Sequence, residues 1–288
     1  MQTNRIRISV APPVPLQEIP LRITIAQRGF TLIELAVVMF IVAMLLGGML
    51  LPLSAQQDIR NNGNTQKILA DARDALVGFA MANDRLPCPA SATSNGVESF
   101  CTNGGTGPCG PKLTIYQTHG RCSNPYDGFV PAVTLGLAPV DAQGYLLDGW
   151  EGRIHYAVSK DPTSSTMNSN ADVNPRYSFT ITGGMRTIAM ASLHPDLQVC
   201  DAGPATGTWQ CGGTALATNA VATVFSTGKN VATGGTGTDE AANLDADRVF
   251  VSHAQAPADA ANGDFDDLVI WLSPNILFNR MVAADRLP

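Results

Sequence analysis

The sequence predicts an α+β protein: a long N-terminal helix, transmembrane in its first half and amphipathic in its second, packed on a loop-rich antiparallel β-sheet body. Three observations predict it. An apolar run with no charged or polar side chain extends from Leu35 to Leu51. Beyond it, Leu69, Ala72, Leu76, Phe79 and Ala80 recur at three- and four-residue spacing, the stripe of a helix that covers a core. The remainder is rich in glycine and proline, 27 and 19 of 288 residues, and holds short runs of strand length between turns.

In the first element, residues 30–53 would extend roughly 36 Å at a rise of ~1.5 Å per residue, enough for a hydrocarbon core of about 30 Å. Inside lipid a single segment satisfies its own backbone groups only as a helix. Glu34 lies within this run, where a carboxylate is costly without a partner and therefore marks function. Gly47-Gly48 and Pro52 are the expected points of bending. Residues 1–29 carry Arg5, Arg7, Arg22 and Arg28 against Glu18, so the positive-inside tendency leaves them in the cytoplasm and sends the body across. Pro12, Pro13, Pro15 and Pro20 oppose a stable helix there. The apolar run is too long for a secretory signal peptide, and no small-residue cleavage site follows it.

Gly29-Phe30-Thr31-Leu32-Ile33-Glu34, leading into that apolar helix, resembles the N-terminal signature of type IV pilins and of the pseudopilins of type II secretion. The resemblance implies cleavage after Gly29 by a prepilin peptidase and N-methylation of the new terminus, Phe30. It also gives Glu34 a role in assembly. In a staggered stack of parallel helices, the amine of one subunit meets the Glu34 carboxylate of its neighbour. Desolvation cancels much of the Coulomb attraction, so the pair sets register more than it adds stability. The implied partners are the prepilin peptidase, other pilin or pseudopilin subunits, inner-membrane lipid and an assembly platform. The implied location is the inner membrane, single-pass, with the leader cytoplasmic and the body periplasmic, and a pilus or pseudopilus after assembly. The organisation that follows is a leader over 1–29, a transmembrane and assembly helix over 30–53, its amphipathic continuation over 54–86, and a pilin-like globular domain over 87–288.

Asn61-Asn62-Gly63-Asn64 is a weak point in the continuation, and Leu86-Pro87-Cys88-Pro89 ends it, because prolines cannot continue the hydrogen-bond ladder. Six cysteines, Cys88, Cys101, Cys109, Cys122, Cys200 and Cys211, lie in the predicted exported body without a C-x-x-C pair. Disulfides are therefore expected rather than zinc. Pairing of sequence neighbours would give Cys88–Cys101, Cys109–Cys122 and Cys200–Cys211, out of about 15 possible connectivities. Asp148-Gly149-Trp150-Glu151-Gly152 resembles a pseudopilin turn, Asp-x-Trp-Gly before a tyrosine-containing strand, with Glu151 inserted; a tight turn with Trp150 on the sheet is expected. Strands are predicted at Tyr177–Thr182 and Arg186–Leu193 around Gly183-Gly184, and at Val221–Ser226, Arg248–His253 and Leu268–Leu272. Residues 201–220 and 227–247 are predicted as loops. A helix is predicted over Ser273–Leu287, with Pro274 in its first turn.

Net charge is −6, and without residues 1–29 it is 14 Lys+Arg against 23 Asp+Glu, or −9. No nucleic-acid partner is expected for such a body. No G-x-S-x-G, phosphate loop or H-E-x-x-H occurs, so no enzyme is expected. The acidic turns before the last strand are the one site-like feature. Asp264, Asp266 and Asp267 suit calcium, which takes six to eight oxygens in flexible geometry. The resemblance adds that major pseudopilins carry a calcium in a C-terminal loop. The twelve-residue calcium-loop spacing is absent, and a solvated acidic loop is the competing reading. No cofactor is required by this sequence. The function expected is a structural subunit, a minor pilin or minor pseudopilin, with a tip-located adhesin-like or substrate-binding module on the same anchor as the alternative.

Overall fold

The computed structural model describes residues 29, 31–101, 121–160, 177–187, 190, 193–204, 210–230 and 237–287, without the side chains of 48–54. The elements in chain order are α1 (Leu32–Asn83), α2 (Ala132–Leu135), β1 (His155–Val158), α3 (Gly184–Thr187), β2 (Leu197–Cys200), β3 (Ala215–Ala220), β4 (Ala222–Ser226), α4 (Thr238–Asn243), β5 (Val249–Val251), β6 (Leu268–Leu272) and α5 (Pro274–Ala283). The chain divides into two compact units, residues 1–53 and 54–288.

Helix α1 is continuous through Gly47-Gly48 and Pro52. The expected break at Asn61-Asn62-Gly63-Asn64 does not occur. The amides there bond along the helix instead, Gln57 Nε2 donating to Asn61 Oδ1 and Gln66 Nε2 to Asn62 Oδ1, each at 3.0 Å. The helix ends at Asp84, whose φ of 56° is left-handed, just before Pro87. Among the described residues no helix is long and apolar enough to cross a membrane. Only 16 side chains, Leu32 to Gly47, are described in the apolar half, short of the ~20 residues that a crossing needs. The predicted crossing over 30–53 therefore has no counterpart among the described residues.

In the second unit the sequence stripe is buried as expected: Leu69, Ala72, Leu76 and Ala80 have no exposed surface. They share one core with Leu277 and Met281 of α5 and with Tyr156, Val158, Val224 and Leu272, which lie on one face of a sheet ordered β1-β4-β6. That sheet is antiparallel throughout, and β4 pairs with β6 in unbroken register from Ala222↔Leu272 to Ser226↔Leu268. Its other face, with Ala157, Phe225, Val269 and Trp271, packs on Leu197, Val199, Ala220 and Phe250 of a second sheet ordered β3-β2-β5. The layers of this unit are thus helices, sheet, sheet. The second sheet is mixed: β2 is antiparallel to β3 but parallel to β5.

Several expectations are corrected. Residues 178–183 are turns where a strand was predicted at Tyr177–Thr182, and α3 takes Arg186 and Thr187, the start of the strand predicted at Arg186–Leu193, of which residues 188, 189, 191 and 192 lie outside the described residues. The backbone there bonds locally, with the N–H groups of Thr180 and Ile181 both donating to Tyr177 O, while Phe179 is fully buried. β2 was not predicted, β3 and α4 fall in predicted loops, and α2 was also unforeseen. Cys88 bonds Cys122, not Cys101. Segment 99–101 lies between them, Ser99 N–H donating to Pro89 O and Cys101 N–H to Arg121 O, which carries Cys122 to Cys88. Cys101 is itself disulfide-bonded, Cys200–Cys211 forms as expected, and Cys109 lies outside the described residues.

The Asp148–Gly152 turn anchors the sheets to α1. Asp148 Oδ1 accepts from the N–H groups of Trp150 and Gly152, both at 2.8 Å, and its other oxygen accepts from the Ser226 hydroxyl. The inserted Glu151 adopts a φ of 66° to close the turn. Gly149 sits on the helix backbone: its N–H donates to Thr65 Oγ1 at 2.9 Å, and a Cβ there would stand 2.4 Å from Asn61 O. Trp150 is half-buried beside it.

Candidate functional site

The N-terminal signature forms a helix cap. Thr31 precedes α1, and its N–H and its Oγ1 both reach Glu34 Oε2, each at 2.9 Å. In return Glu34 N–H donates to Thr31 Oγ1 at 3.3 Å. This is a capping box, threonine at the cap and glutamate three residues on, and it satisfies N–H groups that the first helical turn leaves open. The large apolar side chains that follow are exposed on this unit, from Leu32 (88%) to Leu46 (60%). Among the described residues an added Cβ at Gly29 would meet nothing within 4 Å. Phe30 lies outside the described residues.

A second cluster forms in the body from two distant segments. The first turn of α4 buries two adjacent carboxylates in different surroundings. Asp239 accepts from Gly203 N–H (2.7 Å) and Asn262 Nδ2 (2.9 Å), and lies 3.1 Å from His253 Nε2. Glu240 accepts from Asn230 Nδ2 (2.8 Å) and Asp266 N–H (3.0 Å). Glu240, Asp266 and Asp267 each place one oxygen within 4.8 Å of the others. Glu240 and Asp267 are 1% and 4% exposed. Asp266 Oδ2 accepts from the N–H groups of Lys229 and Asn230, while its Oδ1 is buried with no hydrogen-bond partner among the described residues. Asp267 Oδ2 accepts from Asn243 Nδ2 at 2.7 Å. Burial first, and the neighbouring carboxylates next, push Asp267 up to about 8 and Asp266 up to about 6. Gly228, with a φ of 65°, lets the chain pass this close; a Cβ there would stand 2.2 Å from Asp266 Oδ1.

Three clustered carboxylates are the kind of group that a hard divalent cation such as calcium binds, and a solvated acidic cluster is the competing reading. The structure replaces one member of the predicted trio. Asp266 and Asp267 belong to the group, and Glu240 takes the place of Asp264, which lies alongside with its Oδ2 3.4 Å from Asn230 Nδ2. Sequence reasoning missed Glu240 because 26 positions separate it from Asp266. A signal was present: Glu240 stands three residues after Gly237, at the start of a helix.

The Asp196 carboxylate accepts from Ser159 Oγ (2.7 Å), Lys160 N–H (3.2 Å) and the Tyr126 hydroxyl, tying the end of β1 to the start of β2.

The family model described as the prokaryotic N-terminal methylation motif matches residues 25–50. The chain therefore carries the type IV pilin and pseudopilin signature at its N-terminus. No curated protein and no solved structure matches the chain.

Proposed function

We propose that this chain is a minor subunit of a pilin-type filament, a type IV pilus or a type II secretion pseudopilus. It is cut after Gly29 by a prepilin peptidase, methylated at Phe30 and assembled through its N-terminal helix. One observation carries this reading: the methylation motif over 25–50 opens a helix whose apolar side chains stand exposed on every side. Such a helix needs lipid or other helices to cover it. Before assembly the inner membrane supplies that cover, and afterwards neighbouring subunits do. The body beyond Asn83 is larger than that of a typical major subunit, which favours a minor one. In the periplasm the disulfides would persist.

Calcium, where present, would be held by Glu240, Asp266 and Asp267 and would supply the positive charge that this buried group lacks. Its work would be to hold α4 to the segment before β6.

Mass spectrometry of the protein from its native membrane tests the reading. The expected species starts at a methylated Phe30; an intact chain starting at Met1, with no trimmed form, would overturn it. Glu34→Ala is expected to leave cleavage intact and to lower incorporation into filaments.

A further inference from the structure

We infer that the outer edge of β6 docks an extended apolar segment of another protein, flanked by lysine or arginine, which adds a fourth strand to the sheet β1-β4-β6. The inference goes beyond the filament reading and uses it only to choose between partners.

Its observation is a main-chain ladder that stops at this strand. Ser159 N–H donates to Val221 O, while the N–H groups of Tyr156 and Val158 turn the other way, to Gly128 O and Pro125 O. By alternation, Ala222, Val224 and Ser226 turn their backbone groups toward β6, where they pair with Leu272, Ile270 and Leu268. Val269 and Trp271 then present their N–H and C=O groups outward, and no hydrogen bond to those groups forms among the described residues.

The other edges differ. That of β1 is covered by residues 125–128. At β5, Asp247 Oδ1 accepts from Val249 N–H (2.5 Å), and the Asn243 amide serves Val251, accepting from its N–H (2.7 Å) and donating to its O (3.2 Å). β3 carries mostly small side chains, and its register to β2 shifts twice, which makes it a poor template. β6 keeps an unbroken register, and its sequence Leu-Val-Ile-Trp-Leu holds none of the charges or prolines that protect an edge. Its side chains from Leu268 to Trp271 are half-buried, Leu268 and Ile270 at one core, Val269 and Trp271 at the other. An added strand therefore finds apolar surface beside it on both faces.

Charge selects the flank of the occupant. Asp264, Asp266 and Asp267 stand just before β6, and the chain beyond residue 29 has 14 Lys+Arg against 23 Asp+Glu. An apolar segment with a basic end matches both features. The β6 edge of a second copy does not. Two such edges pair about a two-fold axis, which points the bodies in opposite directions, whereas copies anchored by the same N-terminal helix point the same way. Two acidic bodies also repel.

The test uses the full-length protein in detergent and labelled synthetic peptides of five valines after two lysines, read by fluorescence anisotropy against a detergent blank. The peptide should bind saturably. N-methylation of alternate valines leaves one bonding face and should preserve binding. Methylation of all five leaves none and should weaken it about tenfold, as should Val269→Pro, which removes an outward N–H without touching the β4 ladder. Circular dichroism melting checks that this variant is folded; should it not be, the methylated peptides still decide. Glutamates in place of the lysines should weaken binding, more so at low salt. No binding, equal binding of all the peptides, or unchanged binding to folded Val269→Pro overturns the inference. A dimer of the full-length protein that Val269→Pro dissolves gives the edge to a second copy and overturns it too. The filament reading stands or falls separately, on the mass of the chain that starts at Phe30.

Discussion

Thr65→Val probes the contact that seats the sheets on the long helix. Thr65 has no exposed surface, and its hydroxyl does two things at once. It donates to Asn61 O at 2.8 Å and accepts from Gly149 N–H at 2.9 Å. Valine has nearly the same shape, so the cavity term is small. Asn61 O keeps the helical bond from the backbone of residue 65, so little is lost on that side. Gly149 N–H is different. It lies against the helix backbone, where an added Cβ would stand 2.4 Å from Asn61 O, and no water-sized gap separates the two. An orphaned donor of this kind costs ~1–3 kcal/mol. For a body of this size, ~2 kcal/mol corresponds to a fall in Tm of roughly 4–8 °C. Thermal unfolding of the full-length protein in detergent, followed by circular dichroism, reads it. Thr65→Ser should behave like wild type. A Thr65→Val melting curve that overlays wild type, or an equal loss in Thr65→Ser, would refute the argument. Gly149→Ala attacks the same contact from the other side, so the two losses should combine to less than their sum.

Other outcomes follow from the rest of the body. The His155 ring stacks on Phe225 and meets the tilted ring of Phe129, each at 4.8 Å, and loss of solvent pushes its pKa from the ordinary 6.5 down to about 4. The unfolded chain thus binds the proton first as pH falls, so the stability from neutral His155 is present above pH 6.5 and is lost toward pH 4. Wild type should lose ~2–3 kcal/mol relative to His155→Phe across that window, and a difference independent of pH would contradict it. Calcium should raise the Tm over that in chelator at neutral pH, and Glu240→Gln should remove the rise; identical curves would count against a cation at Glu240, Asp266 and Asp267. Cys88→Ala/Cys122→Ala opens a loop of sequence separation 34, and the chain-entropy account puts the loss at about 4 kcal/mol. Denaturant unfolding measures it, and an unchanged midpoint would show that the crosslink adds nothing.

By itself the sequence determined what depends on neighbours in the chain. The three- and four-residue spacing from Leu69 to Ala80 was enough to make a helix with one buried face, because that periodicity is a property of the helix and not of its partner. Pro87 ended it, Pro274 opened α5, and the apolar run Leu268–Leu272 marked a strand, whose two faces pack against different clusters. The methylation motif was legible for the same reason: a peptidase reads a short linear segment, and so can an observer. Tertiary structure decided whatever joins distant segments. A strand was expected at Tyr177–Thr182, yet the backbone there turns, Thr180 and Ile181 N–H donating to Tyr177 O while Phe179 O accepts from Leu86 N–H, because pairing is decided by the rest of the fold. β3, an edge strand of small residues, carries too little side chain to announce itself. The parallel pairing of β2 with β5, the bond from Cys88 to Cys122, and the meeting of Glu240 with Asp266 and Asp267 all join residues that are far apart in the sequence. Which of many distant segments becomes a neighbour is chosen by the packing of the whole core, and no local pattern contains that choice.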